Sequence, residues 1–206
     1  MSEADFFSDE AKRATKTSVE SAEAQTCAEI VVAVRKSSAR YGVLAYHFGL
    51  GFSALVVAYL LVVPQEYSAF AIALDGVIAF ALGALLAANL DTVKRALSRG
   101  ATLDENVNRA ARAAFFDLGI SRTSGRHGLL VYASMFERRC VVLTDIGINA
   151  AQLGPSWVAS QSGLAEAVKH RDLSAFQRAL SGLGAVLCEP HPRTADDVNE
   201  LPDEVQ

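Results

Sequence analysis

Two long apolar runs are the strongest feature of the hydrophobic pattern. They are residues 42–63 and 69–90, separated by the short polar turn PQEYS. A bilayer core of about 30 Å needs about 20 helical residues, whereas a strand seldom exceeds about 10 residues. The runs are therefore too long for a buried β-hairpin, and two buried core helices would need a larger soluble partner than this chain supplies. The pattern predicts a transmembrane helical hairpin over residues 41–91.

The charges that flank the runs predict the orientation of this hairpin. The turn contains Glu66 and no lysine or arginine. Basic residues lie on both sides of the hairpin: Arg35, Lys36 and Arg40 before it, and Lys94, Arg95 and Arg99 after it. Positive charge favours the cytoplasmic face. We therefore expect a multi-pass protein of the inner (plasma) membrane, in contact with the lipid bilayer, with both termini cytoplasmic.

One acidic residue lies inside the second run. Asp75 shares a helical face with small residues at spacings of four: Ala79, Gly83 and Ala87. Small residues allow close helix contact, and a polar group on such a face can hydrogen-bond to a second helix or a second copy. We expect a packing role for this face, with proton conduction through Asp75 as the alternative.

Before the hairpin, the pattern predicts one helix and one strand. Ser8 is a predicted N-cap, with acidic residues in the first turn of a helix that ends near Glu23. The run TCAEIVVAV, residues 26–34, is rich in β-branched residues and predicts a strand.

After the hairpin, the pattern predicts helix, strand, strand, helix, helix. Thr102 and Glu105 resemble a capping box that begins the first helix, and Gly119 ends it. Residues 128–134 and 140–145 predict a β-hairpin, because only a short turn joins them. Two more helices follow, starting at Pro155 and at the predicted N-cap Asp172.

The helix and strand before the hairpin cannot form a core by themselves. We therefore predict one α/β domain assembled from residues 1–40 and 92–189, with the membrane hairpin inserted in a surface loop. Residues 190–206 form a polar acidic tail.

Composition and charge exclude several classes of protein. Net charge is −4, so no general basic field is available to recruit nucleic acid. The three cysteines are far apart and fit neither a disulfide framework nor a zinc pattern such as C-x-x-C. Hydrolase and nucleotide-binding motifs such as GxSxG, the P-loop and HExxH do not occur.

Weaker candidates for chemistry remain, each with a structural alternative. The loop SRTSGRHG contains Arg122, Arg126 and His127, joined by Thr123 and Ser124. Guanidinium groups match phosphate geometry, so this loop is either an anion site or a solvated connection. Asp145 follows a strand, where α/β folds often place ligand-binding carboxylates, or else it caps the next segment.

Carboxylates also provide candidates for a divalent cation such as calcium or magnesium. Glu29 could share a metal with Asp145 if the two strands are neighbours, since hard cations prefer clustered oxygens. The tail carboxylates are a second candidate, without the fixed spacing of an EF-hand, and a flexible acidic tail is their simpler interpretation. They are Asp196, Asp197, Glu200 and Asp203.

The segments TCAEIVVAV, SRTSGRHGLLVYAS, FERRCVVLTDIGI and DDVNELPDEV resemble those of the TPM-domain family. The likeness is greatest to its bacterial membrane branch, in which a two-span hairpin interrupts the domain and a NELPD-type sequence closes it. The resemblance implies an α/β/α sandwich. It also implies either an accessory role or acid phosphatase activity with a divalent metal. The residues at motif positions are Glu29, Thr123, Arg126, Gly128, Asp145, Asn199 and Glu200.

The chain departs from the metal-binding members of that family at the end of the hairpin strand. It has Thr144-Asp145-Ile146-Gly147 there instead of paired aspartates. We therefore expect an accessory, partner-binding role in membrane-protein maintenance, with a membrane protein or a second copy as the partner. The alternative is a metal-dependent acid phosphatase, in which Arg126 holds the phosphate and Asp145 holds the metal or acts as the acid.

Overall fold

The computed structural model describes residues 3–193 and 199–201. The chain divides into two compact units: the α/β unit, residues 1–38 and 104–206, and the hairpin unit, residues 39–103. The elements in chain order are α1 Asp9–Glu23, β1 Glu29–Arg35, α2 Gly42–Val62, α3 Ala69–Asn89, α4 Asp91–Leu97, α5 Gly100–Asp117, β2 Gly128–Ser134, β3 Arg139–Thr144, α6 Gly154–His170 and α7 Leu173–Leu187.

Two of the predicted helix caps are present in the structure, and a third is not. Ser8 Oγ accepts a hydrogen bond from an amide of the first turn of α1 at 3.1 Å, and Asp172 Oδ1 accepts one in α7 at 2.9 Å, so both predicted N-caps are confirmed. The prediction that Thr102 caps α5 is wrong. The Leu103 amide already donates to Arg99 O at 3.1 Å, so the helix begins earlier and Thr102 lies within it.

The three strands form one sheet in the order β1-β2-β3. β1 and β2 are parallel, starting from the pair Glu29–Gly128, and β2 and β3 form the predicted antiparallel hairpin. The first strand begins three residues later than predicted, because Thr26 instead forms an isolated bridge with Pro192.

Helices cover both faces of this sheet. Alternate residues of β1 and β2 point to opposite sides, as the pleat requires. Ile30 and Val32 join a large core with residues of α1, α6 and α7, while Val31 and Ala33 join a smaller core with Val107 and Ala111 of α5. The α/β unit is therefore a mixed α/β structure with a small sheet. The predicted α/β class is confirmed to that extent.

In the hairpin unit, α2 and α3 are the two predicted apolar helices. Each is 21 residues long, with mean hydropathies of 1.7 and 2.2, so by length and composition each could span a membrane. Most of their side chains are exposed; Val62 is 83% exposed and Phe70 is 77% exposed. Short helix α4, which follows them, was not predicted.

Candidate functional site

The candidate residues of the α/β unit meet at one end of the sheet. β1 and β2 start at this end, with Glu29 beside Gly128. β3 ends there, and the Asp145 amide, just beyond it, donates to Gly128 O at 2.8 Å. Residues that are far apart in sequence are thereby brought together by strand pairing. We call this region the sheet-end site: residues 123–128, Glu29, Asp145 and residues 199–201.

An ion pair joins two sides of this site. Arg126 Nε lies 2.8 Å from Asp145 Oδ2, and Arg126 Nη2 donates to Asp145 Oδ1 at 3.0 Å. The Asp145 side chain is 4% exposed and that of Arg126 is 45% exposed. Asp145 Oδ1 also accepts from the Ile146 amide at 2.8 Å. The carboxylate is therefore held in a two-point contact of the kind that guanidinium groups form with a phosphate.

The loop before β2 also binds a carboxylate of the chain itself. Ser124 donates to Glu200 from its amide at 2.8 Å and from its hydroxyl at 2.5 Å. These two hydrogen bonds lower the pKa of Glu200 below its usual 4.5. The Glu200 amide in turn donates to Glu29 Oε1 at 3.2 Å. The loop that was predicted as an anion site is thus in contact with an internal anion.

Two further motif residues have local structural contacts. Thr123 is buried, its carbonyl accepts from the Arg126 amide at 3.1 Å, and its hydroxyl has no hydrogen-bond partner within the described residues. Asn199 Oδ1 accepts from the Leu201 amide at 3.2 Å, and Leu201 packs against the smaller core. The segment 199–201 therefore docks by both polar and apolar contacts. Asp196, Asp197 and Asp203 lie outside the described residues.

The condition for a shared Glu29–Asp145 metal site is not met. β2 lies between the strands that carry these residues, so they are not on neighbouring strands. Asp145 is also engaged by Arg126, as described above. No group of three or more metal-ligating side chains in the described part of the chain includes either carboxylate.

A polar cavity of about 200 Å³ adjoins Glu29. It contains three carboxylates and one guanidinium group, and neither Arg126 nor Asp145 lines it. Its lining residues are Glu20, Glu23, Thr26, Ala28, Glu29, Arg193 and Asn199.

A metal-capable cluster that the sequence did not reveal shares His127 with the sheet-end site. Cys27, His127 and His191 place one ligand atom each within 4.8 Å of one another. Cys27 and His127 are 100 residues apart in sequence, so no spacing rule could find them. The only sequence signal is the position of each residue next to the end of a strand or helix. None of the three cysteines is disulfide-bonded.

In the hairpin unit, the predicted small-residue face is the contact between α2 and α3. Ala79, Gly83 and Ala87 are buried together with Gly76, whereas Asp75 is half-buried beside them. A polar contact across the pair exists, but its donor is Ser53, whose hydroxyl bonds to the Gly76 carbonyl at 2.7 Å.

No hydrogen bond or ion pair of Asp75 is found within residues 3–193. His47 Nδ1 lies 2.9 Å from Val43 O of its own helix. Within the described residues, proton conduction through Asp75 therefore has no polar side-chain contact to support it.

The chain is similar in fold to an experimental structure, the NMR structure of BA42 protein from the psychrophilic bacterium Bizionia argentinensis. The similarity has a TM-score of 0.57 with 16% sequence identity, and it covers 96% of this chain and 92% of that chain. At this identity the likeness concerns the fold alone. No family model matches the chain, and no curated protein matches it.

Proposed function

We propose that this chain is a multi-pass inner-membrane protein whose α/β unit is a TPM-type sandwich and acts by binding a partner protein. The hairpin unit would anchor it, with both termini in the cytoplasm. The resemblance of the sequence segments to the TPM family supports this assignment, as does the arrangement of helices on both sheet faces. The long exposed apolar surface of α2 and α3 supports the membrane anchor.

One observation favours partner binding over phosphatase chemistry. The residues that a phosphatase would use are engaged with one another: Arg126 with Asp145, and Ser124 with Glu200. The Asp145 carboxylate already occupies the Nε and Nη2 edge of Arg126, so a phosphate could bind at that edge only by displacing it. The same end of the sheet displays an apolar side chain, Ile146, which is 82% exposed. This exposed side chain therefore marks the position at which a bound partner protein can be tested for.

The partner itself can be tested by photo-cross-linking in cells. A photoreactive phenylalanine analogue would replace Ile146 at the sheet-end site, or Phe116 as a matched control, since Phe116 is 72% exposed on α5. We expect a discrete adduct from position 146, either with a membrane protein or with a second copy of this chain, and none from position 116. Equal labelling at both positions, or none, would contradict a partner surface at this site.

Catalysis can be tested on the full chain purified in mild detergent. We expect no hydrolysis of a phosphomonoester with magnesium, calcium or manganese above the rate of the double variant Arg126→Ala/Asp145→Asn. Metal-dependent activity that the double variant loses would overturn the proposal in favour of the acid phosphatase.

Topology can be tested with a native cysteine. Cys188 is exposed and lies in the α/β unit. In intact spheroplasts, a membrane-impermeant maleimide should leave Cys188 unlabelled until the membrane is permeabilised. In a Cys188→Ser background, Gln65→Cys in the turn between α2 and α3 should be labelled without permeabilisation. The reverse pattern would refute the proposed orientation.

A further inference from the structure

Three separate segments of the α/β unit bring one thiol and two imidazoles together. Cys27 precedes β1, His127 precedes β2, and His191 follows α7. Cys27 Sγ lies 3.6 Å from His127 Nδ1. The two imidazole rings have centroids 4.5 Å apart and are tilted by 46°. All three side chains are half-buried.

The spacing of these atoms fits a tetrahedral metal site. Zn–S bonds of about 2.3 Å and Zn–N bonds of about 2.0–2.1 Å at a tetrahedral angle place sulfur and nitrogen about 3.6 Å apart. The Cys27–His127 distance matches that edge. All ligand atoms of the cluster lie within 4.8 Å of one another, so the edges that involve the third ligand exceed the tetrahedral values of about 3.3–3.6 Å by about 1.5 Å at most.

The backbone around the cluster is arranged to hold these side chains. A Cβ atom at Gly125 would lie 2.7 Å from His127 Nδ1, and one at Gly147 would lie 2.7 Å from His127 Cδ2. Both glycines therefore make room for the ring. The carbonyl of His191 accepts from the Cys27 amide at 3.1 Å and from the Thr26 hydroxyl at 2.6 Å. The ligand-bearing segments are thus fixed to one another through the main chain.

The donor set selects the class of metal. A thiolate and two imidazoles suit zinc and similar transition metals, whereas calcium and magnesium prefer oxygen ligands.

We propose that Cys27, His127 and His191 form a Zn²⁺ site, in which they supply three of the four ligands of a tetrahedral ion. The site goes beyond the partner-binding function proposed above and does not depend on it. It also differs in chemical class from the calcium or magnesium expected at the carboxylates. A bound ion would join the starts of β1 and β2 to the segment after α7.

The test uses the full chain in mild detergent, carrying an affinity tag without histidine and stripped with a chelator. Zn²⁺ is titrated by calorimetry, and Co²⁺ is used as a spectroscopic probe. We expect one ion per chain, with the visible absorption of tetrahedral Co²⁺ and a thiolate-to-cobalt charge-transfer band. Failure of the folded wild-type chain to bind either ion would overturn the proposal.

Matched variants locate the site. Cys27→Ser and His191→Gln should each weaken Zn²⁺ binding about 100-fold or more, since loss of a ligand costs more than loss of its supporting contact. Cys188→Ser and His170→Ala change exposed residues and should leave binding unchanged. Fluorescence of the single tryptophan verifies that every variant is folded. Binding that survives Cys27→Ser, or a Co²⁺ spectrum without the thiolate band, would overturn the assignment.

Discussion

Removing either member of the ion pair between Arg126 and Asp145 should destabilise the α/β unit, and removing Arg126 should cost more than removing Asp145. Arg126→Ala leaves a carboxylate that is 4% exposed with the Ile146 amide as its one remaining donor among the contacts described. Asp145→Ala leaves a guanidinium that is already half in solvent and can turn toward water. The left-handed φ of +56° at Arg126 disfavours alanine as it does arginine, so backbone strain does not confound the comparison.

The expected magnitude follows from these exposures. A hydrogen bond to a charged group contributes about 1.5–3 kcal/mol, and breaking a fully buried pair costs about 3–5 kcal/mol. Because Arg126 is 45% exposed, solvent screening reduces this cost. We expect a loss of about 2 kcal/mol in the free energy of unfolding for Arg126→Ala and about 1 kcal/mol for Asp145→Ala. The double variant should lose less than their sum, with a coupling of about 1 kcal/mol.

The measurement is urea unfolding of the full chain in detergent, followed by fluorescence of Trp157. This is the single tryptophan of the chain, and it is buried in the large core of the α/β unit. The control is the surface pair Arg139–Asp104, whose side chains are 39% and 53% exposed, with an expected coupling below about 0.5 kcal/mol. A coupling for Arg126–Asp145 that is no larger than that of the control would refute the reasoning.

Three further predictions concern other parts of the chain. A Cβ at Gly83 would lie 3.0 Å from the facing helix, whereas a Cβ at Gly51 would meet open space. We therefore expect Gly83→Leu to destabilise the helix pair by about 1–3 kcal/mol. Followed by circular dichroism, this variant should lose helicity at a lower SDS fraction than the wild type, whereas Gly51→Leu should not. Because the pKa of Glu200 is lowered in the folded chain, its ionised carboxylate stabilises the fold. This contribution is full above pH 4.5 and is lost as the pH falls through the folded pKa. The difference in thermal midpoint between wild type and Glu200→Gln should shrink over that range, and a difference that is constant down to pH 3 would contradict the Ser124 contact. Burial raises the pKa of Cys140 to about 12, so at pH 8 its thiolate fraction is about 1 in 10,000, against about one in four for an ordinary thiol. Timed maleimide labelling read by intact mass should modify exposed Cys188 before Cys140, which is half-buried, and equal rates would be inconsistent with the raised pKa of Cys140.

Local pattern was sufficient to predict most of the elements. The two apolar runs predict α2 and α3 to within a residue, because an uninterrupted run of this length has no other regular structure. The apolar run of β2 and the cap at Asp172 likewise depend on neighbours within a few residues. Thr102 misled the prediction because a capping box specifies a start only if the preceding residues are not already helical.

The sequence by itself determined which residues could do chemistry at the sheet end, but not their partners. Whether Arg126 holds phosphate or Asp145, and whether Ser124 contacts solvent or Glu200, depends on strand order and on where the last segment docks. The cluster of Cys27, His127 and His191 depends on the tertiary structure alone, because its members lie far apart along the chain and meet only when β1 pairs with β2 and α7 packs beside them. Short-range periodicity reports local conformation, whereas contacts between distant segments are decided by how the sheet and its covering helices pack.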